Sequence, residues 1–467
     1  MPPVDLADAP AIVAPEAVRL RGWGGGPGAA GWRLRPERAE SLIAALRLFR
    51  ERAGEWPGVL ARGMGRSYGD AAQLAGGLII ETTRLRSVAL DEAGGCVTAG
   101  AGVTLGELLA RLVPAGWMVP VLPGTQHVSV GGAIAGDIHG KNHGSAGTFG
   151  RHVEALGLLT AAGEELSLSP GDALFEATLG GMGLTGIIVW ARVRLAPVSS
   201  PYLSVDTDRV EDLDAALAAL RAPGGPHRVA WLDLLARRAG RGVVTRAEHL
   251  PASAVPHGAR GGPGARGAAT VRARTTVPGR WPGALLRPAT VRAFNELRFR
   301  RSPVGERGRV ESIGAHMFPL DALDGWPRLY GRAGFVQYQL VVPYGTEAAL
   351  KAVLGELRQA RVPCYLAVLK DFGEANGAPL SFPIAGWTLA LDLPRAAPGL
   401  PPALERCDEH VAAAGGRVYL SKDARLRPDA LRAMYPRLGE WREVRDRADP
   451  DGVWRSDLAL RTGLVGT

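Results

Sequence analysis

Residues Gly124–Gly150 read GTQHVSVGGAIAGDIHGKNHGSAGTFG, and the fold turns on this stretch. It holds eight glycines, three histidines and one lysine, with no proline and few large side chains. Such a segment cannot build a core of its own. Glycine permits positive φ and lets the backbone come within hydrogen-bonding distance of a ligand. The stretch therefore predicts main chain wrapped around something flat or anionic, with His139, Lys141 and His143 beside it.

Two further glycine patterns bear on this. Ala61–Asp70, ARGMGRSYGD, follows a strand-like VLAR and has the spacing G-x-G-x-x-x-G. Consecutive N–H groups in such a turn make a nest for an anion such as a pyrophosphate. Gly181–Gly186, GMGLTG, matches G-x-G-x-x-G to the letter. It runs on into IIVWARVRL, a strand rather than the helix that a dinucleotide-binding turn needs, so the Rossmann reading fails.

At 467 residues the chain is too long for one ordinary core, and two domains are expected. Its 46% hydrophobic and 22% charged residues are those of a soluble globular protein. No apolar run approaches the ~20 residues that cross a bilayer. The N-terminal MPPVDLADAPAIVAPEAVRL lacks a basic region followed by an apolar one, so no secretory signal is expected. A cytoplasmic or peripherally membrane-associated protein is the expectation, with a periplasmic location left open.

Cys96, Cys364 and Cys407 stand far apart and suggest small buried hydrophobes rather than a zinc site or a disulfide framework. His139 and His143, four apart, lack helical sequence and carboxylate co-ligands, so no metal is expected.

The net charge of +9 comes from 51 arginines and only four lysines, against 46 acidic residues. The arginines are spread along the chain without blocks of like charge, and the basic, Gly/Pro-rich region from Arg260 to Arg301 has few aromatics to stack bases. Nucleic acid is therefore not an expected partner. Where arginine is so favoured, a surviving lysine hints that a deprotonatable amine is required. Lys141, Lys370 and Lys422 lie in the short distinctive contexts HGKNHG, VLKDFG and SKDAR; Lys351 is the fourth.

Hydrophobic periodicity predicts helices over Glu37–Arg52, Leu105–Leu112, Glu211–Arg221, Glu347–Arg361 and Pro428–Met434. Strands are predicted at Val59–Arg62, Leu78–Glu81, Cys96–Ala99, Ala155–Leu159, Ile187–Leu195, Phe335–Pro343, Tyr365–Lys370 and Trp387–Pro394. The expected class is α+β, with a first region over 1–200, a second over 201–415 built on an antiparallel sheet, and 416–467 returning to the first. The Gly/Pro/Ala/Arg-rich stretch near 252–280 reads as a mobile loop.

Taken as a pair about 55 residues apart, ARGMGRSYGD and PGTQHVSVGGAIAGDIHG resemble the vanillyl-alcohol-oxidase (PCMH) type of FAD-binding fold. Further segments (VLPGT, GGMGLTGII, GFVQYQLVVP, LSFPIAGW, YLSKDAR and MYPR) are similar to the FAD-dependent decaprenylphosphoryl-β-D-ribose 2′-oxidases of mycobacteria and related actinobacteria. The similarity runs from about Trp23 to Arg461 and is weakest over Val243–Val310.

The resemblance implies a flavoenzyme that oxidises the 2′-hydroxyl of a ribose carried on polyprenyl phosphate. An NAD-dependent short-chain reductase partner then completes the epimerisation to the arabinose donor of cell-wall arabinan. An FAD-dependent oxidase of a soluble sugar or alditol is the alternative. FAD would contact Arg62, Gly63, Met64, Gly65, Arg66, Ser67, Tyr68 and Gly69 in the first loop. In the second it would contact Gly124, Ser129, Gly131, Gly132, Gly136, Ile138 and His139, with Ile188 and Tyr419 from later segments. Arg66 stands where relatives of this fold often carry a flavin-linked histidine, so the FAD is expected to be non-covalent.

The chemistry needs a base for the hydroxyl proton, and a lysine with a lowered pKa can serve. Lys422 matches the lysine that the family places near the flavin; the plain alternative is a surface salt bridge to Asp423. His139 matches a position lining the active site. Lys370 suits the substrate phosphate, or else caps a solvated strand end. Gln337 and Gln339 share one strand face, opposite Tyr338, and suit sugar hydroxyls unless that face is simply exposed. Tyr68 matches an aromatic position near cofactor or substrate. In the segment GWTLALDL, Thr388 and Ala390 stand where mycobacterial relatives carry asparagine and cysteine, which alters a substrate hydrogen bond and removes the thiol that covalent inhibitors attack. The lipid-linked substrate implies peripheral membrane contact, expected through the loop near 252–280.

Overall fold

The structure is a computed structural model that describes residues 14–52, 54–237, 240–255, 268–279 and 286–466. It contains three substantial sheets. The first orders its strands Glu16–Leu20, Ala29–Leu34, Leu78–Glu81 and Val59–Arg62, with the latter three parallel. Helix Ala39–Glu51 packs on it through Leu42, Ala45 and Leu46, the face set by helical periodicity. The second sheet is antiparallel, in the order Val88–Asp91, Cys96–Gly100, Ile187–Arg194, Val153–Leu159 and Glu165–Leu168. Helix Leu105–Leu112 starts at a capping box in which Thr104 and Glu107 satisfy each other's free amides.

The glycine-rich stretch is less irregular than its composition predicts. Ser129 accepts from the Gly132 amide and caps a short helix, Val130–Ala135. Val130, Ala133 and Ile134 reach the first core, so the small residues between them are left on the side facing away from it.

The third sheet has eight antiparallel strands. They run in the order Gly305–Ser312, Tyr202–Val210, Arg241–His249, His227–Asp233, Leu366–Phe372, Gly386–Pro394, Phe335–Pro343 and Arg417–Val418. Helices Leu213–Arg221, Glu347–Gln359 and Leu400–Ala413 share its second core. Phe335–Pro343 is buried along nearly its whole length, because the sheet carries helices on one face and a cavity on the other.

The segment from 416 onward, expected to complete the first region, divides its contacts. Leu426, Leu431, Met434 and Trp441 belong to the second core. The backbone is tied to the first region where Tyr68 N donates to Ser421 O at 3.0 Å and Val59 bridges to Trp454. Residues 256–267 and 280 of the expected mobile loop lie outside the described residues. Its described parts are a 3-10 turn at Ala252–Ala254 and a two-residue parallel pairing of Thr275–Thr276 with Leu323–Asp324. All three cysteines are buried and free. Among the described residues no helix is long and apolar enough to cross a membrane.

Candidate functional site

One elongated cavity runs between the two glycine-rich loops and the open face of the eight-stranded sheet. Its first end is backbone. Among the described residues the amides of Gly63, Met64, Gly65, Arg66 and Ser67 donate to no protein group, which is the arrangement an anion nest requires. Gly65 turns at φ +62. A Cβ on Gly63 would collide with Ser129 Oγ, so only glycine lets these loops close on each other. Arg66 lies 4.0 Å over the Trp23 ring, donates from Nη1 to Met64 O at 2.9 Å, and leaves Nε buried without a partner. Burial lowers its pKa, opposed by Asp321 and Asp324.

The other end holds the titratable groups. Lys141, Lys370 and Lys422, three of only four lysines in the chain, all line this one cavity. Burial lowers all three, Lys141 and Lys422 to about 8 and Lys370 to about 7. Lys422 pushes Lys370 further down, whereas Asp392 pulls Lys422 back up. Asp392 is itself raised to about 7 by burial, opposed by its bond from Gln337 Nε2 at 2.6 Å and by Lys422. Lys422 Nζ sits 5.1 Å from the Tyr68 ring centroid. Lys422 belongs to a 3-10 turn, Leu420–Lys422, rather than a strand, and makes no surface pair with Asp423. Asp423 instead takes Arg461, which clamps Asp70 of the first loop through two 2.8 Å contacts. Lys351 is exposed and pairs with Asp214.

Gln339 and His139 meet directly, Nε2 to Nε2 at 2.9 Å. The orientation follows from Thr388. Its hydroxyl donates to Leu340 O at 2.9 Å, so its oxygen can only accept from Gln339 Nε2, 3.0 Å away. Gln339 therefore presents its NH2 to both partners, His139 Nε2 accepts, and the ring proton sits on Nδ1. His139 Nδ1 and Gln339 Oε1 are left buried without protein partners, as is Gln337 Oε1. Burial first, then Lys370 and Lys422, hold His139 well below its usual range, so it stays neutral. Phe372 and Tyr419 flank its ring at 4.8 and 5.1 Å. Tyr419 OH donates to Gly136 O at 2.6 Å.

Most residues expected to touch cofactor or substrate line this cavity; three do not. Arg62 turns away, donating to Ala72 O and Arg21 O, and supports the loop from behind. Gly69 faces the C-terminal segment, where a Cβ would strike Asp423 O. Thr388 has the correct strand parity but is wholly covered, so it orients Gln339 instead of meeting ligand. His143 accepts from the Gly373 amide at 3.0 Å, and burial lowers it to about 3.

Four residues went unselected by sequence reasoning. Lys141, conspicuous in sequence only as one of four lysines, donates from Nζ to His316 O while facing the cavity. Asp137, at φ +38, accepts from Gly150 N, Asn376 Nδ2 and Ser381 Oγ, fixing the backbone just before His139. Asp321 takes the Gln126 amide at 2.8 Å and lines the cavity. Asp392 lies two residues past Ala390, and the two-residue period of the strand was the signal that could have found it.

These features fit FAD. Open amides suit a pyrophosphate, glycine surfaces suit a flat ring system, and buried unpartnered polar atoms wait at the far end.

Comparison with known proteins agrees. The FAD binding domain family matches residues 32–169, and the D-arabinono-1,4-lactone oxidase family matches 403–462. Decaprenylphosphoryl-β-D-ribose oxidase of Mycolicibacterium smegmatis is 39% identical over 457 residues, 96% of this chain and 98% of that protein. An uncharacterized protein of the mprA 5′ region in Streptomyces coelicolor is 40% identical over 375 residues, 78% of this chain and all of that protein. A putative D-arabinono-1,4-lactone oxidase of Neurospora crassa is 29% identical over 38% of this chain. With a full-length relative at that identity, the chain is an FAD-dependent oxidoreductase and belongs to the decaprenylphosphoryl-β-D-ribose oxidase family.

Proposed function

We propose that this chain oxidises the 2′-hydroxyl of a ribose carried on a polyprenyl phosphate to the 2′-keto sugar. The observation that carries it is the convergence of Lys141, Lys370 and Lys422 on one cavity whose opposite end is a nest of free amides. When bound, FAD supplies the two-electron acceptor. Its pyrophosphate would lie against Gly63–Ser67, with no covalent bond to Arg66.

Lys422 is the base that takes the hydroxyl proton. Its amine is held near neutrality by burial, within reach of physiological pH. Asp392 and Lys422 act on each other electrostatically, so a proton received by the amine is stabilised by the carboxylate. His139 donates from Nδ1 to a substrate oxygen, since its Nε2 is committed to Gln339. Gln337 and Gln339 offer buried carbonyl oxygens to sugar hydroxyls. Lys370 holds the phosphate, because an anion beside it restores the charge that burial removes. The Ala390 methyl leaves room at the sheet face and takes no part in the chemistry.

The lipid tail stays in a membrane, so peripheral attachment follows, and an NAD-dependent short-chain reductase is the partner that consumes the ketone. The alternative reading, oxidation of a soluble sugar or alditol, is not favoured, since the ribose oxidase relative spans 96% of this chain whereas the D-arabinono-1,4-lactone oxidase family matches only 403–462. Steady-state assays of the FAD-loaded chain separate the two. Turnover of a prenylphosphoryl ribose analogue supports the first; efficient turnover of free alditols, with none of the analogue, establishes the second.

A further inference from the structure

Outside the cavity, beyond the loop that follows Trp23, a surface hollow is lined by Arg19, Arg21, Arg332 and Arg395 over the backbone of residues 25–28. Among the described residues its lining contains no acidic side chain, and Asp70, outside the lining, is the carboxylate that acts on Arg395. That is unusual for this chain. Elsewhere converging arginines are answered by carboxylates: Arg192 and Arg194 by Glu154, Arg241 by Asp233 and Glu296, Arg246 and Arg307 by Asp208. Even Arg33, beside the hollow's first strand, pairs with Glu16 and Glu81.

The hollow is also shaped. Arg395 is half-buried, donates from Nη2 to Phe335 O at 3.4 Å, and keeps Nε buried with no partner. A Cβ at Gly26 would approach Arg395 Nη2 to 2.6 Å, so the glycine lets the guanidinium lie flat against the loop. Phe335 N donates in turn to Gly24 O at 2.8 Å, and this link walls the hollow off from the cavity. Arg19 lies in the strand Glu16–Leu20 and Arg21 directly follows that strand, and both line the hollow. An anion entering the hollow would meet four arginines whose planar donor forks match phosphate oxygens.

We propose that this hollow is a second anion site, which binds a phosphate group separately from the cavity. The chemistry is shared by a free phosphate compound and an anionic phospholipid headgroup.

The test uses the FAD-loaded full chain with two probes. One is inorganic pyrophosphate, followed by titration calorimetry. The other is phosphatidylcholine vesicles with and without phosphatidylglycerol, followed by co-sedimentation. The variant is Arg21→Gln/Arg332→Gln, both positions exposed; the control Arg52→Gln/Arg447→Gln removes the same charge elsewhere. Flavin content reports that each variant folds. At least one probe binds wild type and control, and binding weakens by about tenfold or more in Arg21→Gln/Arg332→Gln. Pyrophosphate alone identifies a soluble ligand; phosphatidylglycerol vesicles alone identify a headgroup. The site is refuted if neither probe binds, or if the hollow variant and the control bind alike.

Discussion

Replacing Arg461 by Gln tests whether the far C-terminus holds the first flavin loop and Lys422 together. Arg461 donates from Nε and Nη2 to Asp70, from Nη2 to Asp423 and from Nη1 to Leu426 O, all between 2.7 and 2.8 Å. Asp70 belongs to the loop that carries Tyr68, and Asp423 follows Lys422 directly. The Asp423 side chain is only 2% exposed, so removing the guanidinium leaves a buried carboxylate short of its cation. Breaking such a pair costs roughly 3–5 kcal/mol. Arg461 keeps 27% of its side chain in water, which places the cost near the lower end, about 3 kcal/mol.

For a cooperative unit of 150–250 residues this lowers Tm by roughly 6–12 °C. Differential scanning fluorimetry of the FAD-loaded protein reads it, with flavin release as a second channel. Asp70→Asn removes the other partner, so Arg461→Gln/Asp70→Asn should fall well short of the sum of the single effects. A Tm for Arg461→Gln within about 2 °C of wild type, with flavin retained, would refute the clamp.

Lys422→Met should lower kcat by about 10²–10⁴-fold with FAD retained. In wild type, kcat/KM should rise with pH through about 8, because the amine must be neutral to accept a proton and its pKa is lowered to that value. A flat profile over about pH 6–10, roughly two units either side of that value, contradicts this. Lys370 is held near 7 by burial, so binding a phosphorylated substrate at pH 8 should be accompanied by proton uptake. Calorimetry in buffers of different ionisation enthalpy measures it, and Lys370→Met should abolish it. Thr388→Val removes the acceptor that orients Gln339, so KM should rise by about tenfold, whereas Thr388→Ser should restore wild-type behaviour. An unchanged KM in Thr388→Val would show that the His139–Gln339 arrangement does not depend on it.

Much of the site could be read from sequence because it is local. Glycine-rich loops and rare lysines mark themselves, and ARGMGRSYGD and HGKNHG needed no partner to be conspicuous. The sheet that faces them was half legible. Phe335–Pro343 and Gly386–Pro394 are apolar central strands, whereas Tyr202–Val210 alternates with Asp and Arg, and Gly305–Ser312 is an exposed edge rich in Arg and Glu. Their strand character comes from pairing with distant partners rather than from local propensity. The fate of Thr388 was hidden for a related reason. Strand parity placed it on the cavity face, but only the register opposite Val341, with Gln339 above, shows that it is covered. Arg461, 391 positions from Asp70, had no sequence signal at all.

The most direct test is anaerobic mixing of the FAD-loaded chain with synthetic prenylphosphoryl ribose, beside free ribose, while the flavin absorbance is followed. Bleaching by the lipid-linked sugar, with a 2′-keto product and little response to free ribose, is the predicted result. A flavin that stays oxidised with prenylphosphoryl ribose would contradict the proposed activity.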